Sequence, residues 1–152
     1  MICKSNATRY LKIGLVILFL LVFAGCQKSA AGLKIEDAWA RAAPESAANG
    51  VFYMKIYNPG SQDDKLISAS SPGCGVIEIH EVKMEGDMMS MHPVAGGQLD
   101  IPAGETVELK TGGLHLMCID KKESFTTGAK IPVTMQFDKA GEVNLEIEIR
   151  NP

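Results

Sequence analysis

The chain has 152 residues, with 15 lysines and arginines against 18 aspartates and glutamates, and its formal net charge at pH 7 is −3. This length suffices for one domain with a hydrophobic core of its own. The acidic balance argues against a nucleic-acid partner, because binding to phosphates requires a basic face.

The N-terminal segment has the organisation of a bacterial export signal. Lys4, Arg9 and Lys12 occur there without an acidic residue, and an apolar run over residues 13–24 follows. About twelve apolar residues are too few to cross a bilayer as a helix, but they suit the hydrophobic part of a secretory signal. The run ends at Phe-Ala-Gly-Cys, residues 23–26, which resembles the lipobox of bacterial lipoproteins except that phenylalanine replaces the usual leucine.

The lipobox resemblance implies that signal peptidase cuts before Cys26 and that the Cys26 thiol is then acylated. We therefore expect a lipoprotein-type signal peptide over residues 1–25, and the lipidated cysteine with a short tether over residues 26–32. An ordinary cleaved signal and an uncleaved anchor are the alternatives, and both would also export the domain. The leader holds three of the 15 basic residues and no acid, so the mature chain would carry a formal charge of −6. It would be anchored to a bacterial membrane and face the periplasm or the cell exterior.

Alternation of apolar and polar residues predicts β-strands throughout the remaining chain. Residues 143–150, Val-Asn-Leu-Glu-Ile-Glu-Ile-Arg, alternate without a fault, and residues 131–137 alternate as well. Further strands, separated by turns rich in glycine and proline, are predicted at residues 33–41, 51–57, 65–69, 76–82, 88–94, 106–110 and 115–119. Eight or nine short strands at this spacing predict an all-β domain over residues 33–150, a Greek-key β-sandwich or barrel.

The cysteines leave three alternatives open. Cys3 lies in the leader and Cys26 is the expected lipid site, so Cys74 and Cys118 remain. In an exported protein these two can form a disulfide, but sequence does not give their separation in space. Two buried free thiols, or Cys118 as a soft metal ligand, are the other possibilities.

Histidine and methionine are concentrated in one part of the chain. All three histidines and five of the eight methionines lie within 38 residues: His80, Met84, Met88, Met89, Met91, His92, His115 and Met117. Methionine ordinarily fills gaps in apolar cores, whereas here its neighbours include glutamate, glycine, aspartate and serine. Thioether sulfur together with neutral imidazole suits copper, above all Cu(I).

Strand geometry indicates which of these side chains can meet. His115 and Met117 are two residues apart and therefore share one face of a strand, as do Met89 and Met91. His80 lies near the end of its strand and points away from that strand's apolar face. A histidine in such a place is usually a surface residue, so the prediction depends on the coincidence of several donors. Four side chains can then converge on one copper ion from three strands: His80, Met91, His115 and Met117.

Several segments resemble the PCu(A)C periplasmic copper chaperone family. They are Ile-His-Glu at residues 79–81, Met-Met-Ser-Met at 88–91, Ile-Pro-Ala-Gly at 101–104 and Gly-Gly-Leu-His-Leu-Met at 112–117, together with residues 38–41, 51–54, Asn58 and 137–141. The similarity covers about residues 33–150. It implies a cupredoxin-like fold and Cu(I) binding through a histidine, a methionine and a His-x-Met pair. In this sequence those ligands would be His80, Met91, His115 and Met117.

The chain departs from the family pattern in places that affect the surroundings of the ligands. Ten residues separate His80 from Met91, as in the family, but 23 separate Met91 from His115, slightly more than is usual. Leu114 stands where an aromatic residue is common, and residues 118–119 are Cys-Ile. The resemblance implies a non-enzymatic copper carrier. It would deliver the ion toward the Cu(A) centre of a respiratory cytochrome oxidase, either to an oxidase subunit or through another copper chaperone.

Two further questions remain open at this level. Met84 and Met89 are candidates for a secondary metal site, whereas Met88 and His92 are interpreted as incidental surface residues. The alternative functions are a metal-free β-sandwich lipoprotein serving as a binding or assembly module, and an electron-transfer cupredoxin. The latter needs a thiolate with two imidazoles, for which Cys118 would be the only nearby candidate.

Overall fold

Ten strands make up most of the part of the chain that the computed structural model describes, residues 32–151. The leader, Cys26 and residues 27–31 lie outside the described residues. The strands are β1 (Lys34–Arg41), β2 (Gly50–Tyr57), β3 (Asp64–Ser70), β4 (Cys74–Glu85), β5 (Met88–Pro93), β6 (Leu99–Ile101), β7 (Thr106–Leu109), β8 (His115–Lys121), β9 (Lys130–Phe137) and β10 (Gly141–Arg150). A short 3₁₀ turn, Ala95–Gly97, follows β5. Among residues 32–151, no helix is long and apolar enough to cross a membrane.

The prediction of an all-β domain is confirmed, and nine of the ten strands coincide with segments predicted from alternation. The tenth, β6, has three residues, which are too few to show a periodic pattern. β4 is longer than the predicted segment 76–82, because it continues to Glu85 as one arm of a hairpin with β5. This extension determines the shape of the molecule around the candidate site.

Seven strands close on themselves in the order β4-β8-β2-β1-β10-β9-β3, and a pairing between β3 and β4 completes the barrel. β1 and β10 run parallel, whereas their other neighbours pair in antiparallel fashion. β5 lies beyond β4 at the edge of the sheet. Alternate residues of the strands point into the barrel and are fully buried, among them Phe52, Ile56, Leu66, Leu116, Met135 and Ile149.

Cys74 and Cys118 form a disulfide between β4 and β8, with a Cα–Cα distance of 5.4 Å. Of the three alternatives that the sequence left open, this structure therefore has the disulfide. Closing a loop of 44 residues stabilises the fold by about 4 kcal/mol in the chain-entropy model. Because the bond joins the two strands that carry His80 and His115, it also helps to hold their register.

A buried carboxylate ties the start of β3 to the turn between β9 and β10. Asp64 accepts hydrogen bonds from the backbone N–H groups of Lys65, Lys139 and Ala140 at 2.7, 2.9 and 2.8 Å. Burial alone would raise the pKa of Asp64, but these three donors favour the charged form and hold its pKa below the ordinary value. The ionised Asp64 carboxylate thus holds the start of β3 against the turn between β9 and β10 at one end of the barrel.

We predict that Asp64→Asn lowers the free energy of unfolding at pH 7 by about 1–3 kcal/mol, because an amide group can no longer accept from all three donors. A depressed folded-state pKa contributes stability above about pH 4, and this contribution disappears as the pH falls through the folded-state value. The stability difference between the wild type and the variant should therefore shrink below pH 4, as measured by urea unfolding at several pH values.

Asp138→Asn is the matched control, because Asp138 is an exposed aspartate in the same turn. It should change stability by less than about 0.5 kcal/mol. Equal destabilisation by the two variants would contradict the role assigned to Asp64.

Candidate metal centre

The ladder between β4 and β8 places two histidines directly opposite each other. His80 pairs with His115, and their ring centroids are 5.9 Å apart. The two residues are 7% and 3% exposed, which is unusual for histidines on the outer face of a sheet. Two imidazoles thus meet at a shielded position.

The same register brings two methionines to this face. Met117 of β8 pairs with Glu78, and Met91 of β5 pairs with Val82. Glu78 and Val82 each lie two residues from His80, so their partners project to the face on which His80 lies. Met91 and Met117 therefore flank the histidine pair diagonally, while residues of the opposite parity, such as Leu116, point into the core.

Hydrogen bonds determine which nitrogen of each ring is free. His115 Nδ1 lies 2.9 Å from the carbonyl oxygen of Gly113, and His80 Nε2 lies 2.9 Å from Oε2 of Glu78. A carbonyl and a carboxylate can only accept, so each of these ring nitrogens carries the hydrogen. The lone pairs are consequently on His80 Nδ1 and His115 Nε2.

Both of those nitrogens are buried and find no hydrogen-bond partner among the described residues, a condition they share with Arg41 Nε and His92 Nε2. Buried polar atoms are nearly always paired, because an unpaired one loses its bonds to water without compensation. An imidazole whose N–H is held by a carboxylate or a carbonyl, with the other nitrogen free, is the arrangement of a metal-ligating histidine. His80 Nδ1 and His115 Nε2 are therefore the two ring nitrogens that could accept a cation.

The thioethers form the outer part of the site. Met117 is half-buried, whereas Met91 is 58% exposed on the edge strand. Methionine has three rotatable bonds, so its sulfur can adapt to an ion held by fixed imidazoles. The candidate site therefore combines two buried imidazoles in fixed positions with two thioethers that are more exposed to solvent and can change rotamer.

Aromatic side chains border the site beside β8. The Tyr53 ring centroid lies 6.5 Å from that of His115, and Trp39 lies 4.8 Å from Tyr53. The Arg41 guanidinium lies over Tyr53, 5.9 Å from the ring centroid. This wall restricts access from the β2 side and leaves the β5 side more open.

Several donors in the cluster lie outside the centre. Met84 pairs with Met89 on the same face as His80, but farther along the hairpin. Met88 and His92 project to the opposite face, where His92 Nε2 lies 3.0 Å from Oε1 of Glu85. Cys118 points into the core and is bonded to Cys74, so it offers no thiolate to an ion at this site.

Sequence reasoning missed the two groups that orient the imidazoles. Glu78 was detectable in principle, because it lies two residues before His80 and so on the same face of the strand. The Gly113 carbonyl carries no residue-specific signal.

Within residues 32–151, no group of three or more histidine, cysteine, aspartate or glutamate side chains could hold a metal ion. An ion bound here would therefore need the thioethers to complete its coordination, which favours a soft metal.

The sequence and fold are similar to those of several characterised or classified proteins. The chain is 28% identical over 158 residues to "Putative lipoprotein Lxx21020" of Leifsonia xyli subsp. xyli, covering 97% of this chain and 93% of that protein. The copper-bound PCuAC domain from PmoF2 superimposes with a TM-score of 0.66 at 25% identity, over 79% of this chain and 93% of that domain. The Cu(I) form of DR1885 from Deinococcus radiodurans gives a TM-score of 0.61 at 25% identity, over 83% and 85%.

These likenesses confirm the resemblance to the PCu(A)C family and its cupredoxin-like fold. The family model described as "Putative lipoprotein LpqE-like" matches residues 33–149, which include all ten strands except the last residue of β10. The chain belongs to the LpqE-like family.

Proposed function

We propose that this protein binds one Cu(I) ion and carries it outside the cytoplasm as a metallochaperone. The observation that carries the proposal is the pair of buried, unpartnered nitrogens, His80 Nδ1 and His115 Nε2, on a face shared with Met91 and Met117. This set offers two imidazoles and two thioethers to a single ion. Such donors select a soft metal over zinc, calcium or magnesium.

The charge and chemistry of the donors favour the monovalent ion. All four ligands are neutral, so the bound centre keeps the single positive charge of Cu(I). Thioethers need not lose a proton to bind, unlike thiols, so protons do not compete for the sulfur ligands. An exposed Met91 lets a partner's ligand replace it while the imidazoles still hold the ion, as transfer by ligand exchange requires.

The comparisons support copper as the cargo and export as the location. One similar structure is a copper-bound PCuAC domain and another is a Cu(I) form. The family and the Leifsonia xyli relative are both described as lipoproteins, which supports acylation at Cys26 and anchoring to a bacterial membrane. In this proposal the barrel faces the periplasm or the cell exterior.

We further propose that the recipient is the binuclear Cu(A) centre of a respiratory cytochrome oxidase, reached directly or through another copper chaperone. The likeness to the PCu(A)C family supports this step.

A test of delivery is to mix the Cu(I)-loaded protein with the apo Cu(A)-bearing domain, alone and with a thiol-bearing copper chaperone, and to measure copper in each protein after separation. Copper should move to the Cu(A)-bearing domain. Retention by the donor in both mixtures would contradict delivery.

The two alternative functions fit the structure less well. A blue-copper electron carrier requires a cysteine thiolate, and Cys118 is bonded to Cys74 inside the barrel. A metal-free binding module would leave two buried ring nitrogens without partners, which destabilises the fold without serving a function. Neither alternative explains why each ring has an acceptor for one nitrogen and leaves the other nitrogen buried and free.

We predict that His115→Ala with Met117→Ala weakens Cu(I) binding by more than about a hundredfold, since even the loss of a group behind a ligand costs 10–100-fold. Both side chains project away from the core, so the variant should keep its circular dichroism spectrum. Competition with a Cu(I) chelator under reducing conditions measures the affinity. Met88→Ala with His92→Ala is the matched control, because these are the same residue types on the opposite face of the hairpin. Unchanged affinity in the first variant would require a different site.

We predict that Cys74→Ala with Cys118→Ala lowers stability by about 4 kcal/mol but leaves Cu(I) coordination unchanged. X-ray absorption on the loaded protein should count two nitrogen and two sulfur neighbours in both forms. Loss of a sulfur neighbour in the variant would show that a cysteine binds the ion. An intense blue colour of the wild type with Cu(II) would instead favour the electron carrier.

Glu78 should act as a positioning residue for His80. We expect Glu78→Ala to weaken Cu(I) binding about 10–100-fold, because the His80 ring loses the acceptor that directs Nδ1 toward the ion. Glu78→Gln keeps an acceptor oxygen and should lose less. NMR of the ring nitrogens provides the second measurement, since only the alanine variant should show a mixture of His80 tautomers. Equal affinity in all three proteins would contradict the role of Glu78.

A further inference from the structure

The hairpin that carries Met91 projects beyond the barrel as a two-stranded ribbon. β4 pairs with β8 from Cys74 to His80, and with β5 from His80 to Glu85. Past His80, therefore, β4 has only β5 as a ladder partner among the described strands. Both faces of this ribbon, residues 81–92, are available to solvent, and neither is required to cover the core.

The two faces of the ribbon differ in chemistry. One carries mainly charged and polar side chains together with Met88, with Lys83 Nζ 2.6 Å from Glu81 Oε1 and His92 Nε2 3.0 Å from Glu85 Oε1. The other face carries Val82 and three methionines: Met84, Met89 and Met91, which are 62%, 73% and 58% exposed. The ribbon is amphipathic although its apolar face has no core to cover.

A contiguous exposed apolar face indicates binding. If apolar contact or strand formation were the purpose, β-branched or aromatic residues would suit the ribbon better. What methionine offers in addition is a thioether sulfur, a ligand for soft metals. The choice of methionine at three positions of one face therefore points to an ion.

Geometry allows two of these thioethers to reach the same ion. Met84 and Met89 are a direct cross-strand pair, and such pairs have Cβ atoms about 4.5–5.5 Å apart. Met91 follows Met89 on the same face, one step closer to His80. The sulfurs thus form a path from the outer part of the ribbon to the imidazole pair.

We propose that Met84 and Met89 form a second, weaker site for a soft monovalent cation, Cu(I) or Ag(I), at which copper is taken up before it moves past Met91 to the histidine pair. With two neutral ligands against four, this site binds less tightly than the centre, so the ion moves inward by ligand exchange without a change of oxidation state. The site consists of residues other than the four proposed for the centre, so its occupancy can be tested separately, whereas the movement of the ion to the histidine pair rests on the proposed function.

The test is a titration of the protein, labelled with ¹³C at its methionine methyl groups, with Ag(I), which does not undergo redox chemistry under these conditions. In the wild type the first equivalent should shift the methyl signals of Met91 and Met117. Further equivalents should shift those of Met84 and Met89, giving two ions per chain. Met84→Leu with Met89→Leu keeps the apolar face but removes the sulfurs, and should bind one ion. Met88→Leu, on the opposite face of the same ribbon, is the matched control and should still bind two.

The outcomes separate this proposal from the proposed function. Loss of the first stage alone in His115→Ala with Met117→Ala, with the shifts of Met84 and Met89 retained, supports an independent second site. A single ion in the wild type, or a second ion that persists in the Met84→Leu, Met89→Leu variant, would overturn the second site and leave the centre intact. Shifts of Met84 and Met89 without those of Met91 and Met117 would support the second site and contradict the centre.

Discussion

The backbone register between β4 and β8 is the constraint on which the rest of the site depends. It sets His80 against His115, and Met117 against Glu78. A slip of one residue would turn every side chain of a strand to the other face and place the histidine inside the barrel. The buried side chains of opposite parity prevent this slip, and the disulfide joins the start of β4, at Cys74, to the middle of β8, at Cys118. The apolar core and the disulfide thus help to position the proposed ligands although neither would contact an ion.

Two imidazoles that lie close together can bind one metal ion only if each ring also has a nitrogen with a free lone pair. Glu78 and the Gly113 carbonyl each accept a ring hydrogen, and this selects a different nitrogen as the free one in each ring. The resulting unpaired nitrogens are a local liability that a bound cation would relieve.

The fold holds the proposed imidazole ligands more firmly than it holds the proposed Met91 ligand. The imidazoles lie on strands held on both sides by neighbours, whereas Met91 lies on the edge strand of a hairpin that extends beyond the barrel. Fixed donors favour retention of an ion, and rotatable, exposed donors favour its replacement by another protein's ligands. Glu81, Lys83 and Glu85 lie on the opposite face of the hairpin from Met84, Met89 and Met91, so these three thioethers face solvent without a strand carboxylate beside them.

Local alternation in the sequence determined most of the strands, the all-β class and the shared face of His115 and Met117, because a period of two needs only neighbouring residues to be read. Donor chemistry and strand alternation predicted His80, Met91, His115 and Met117 as one set, and the family resemblance implied the same four. Which residues pair across two strands depends on contacts between residues that are far apart in the sequence. The opposition of His80 to His115, the Cys74–Cys118 bond and the tautomers set by Glu78 and Gly113 were therefore decided only by the tertiary structure.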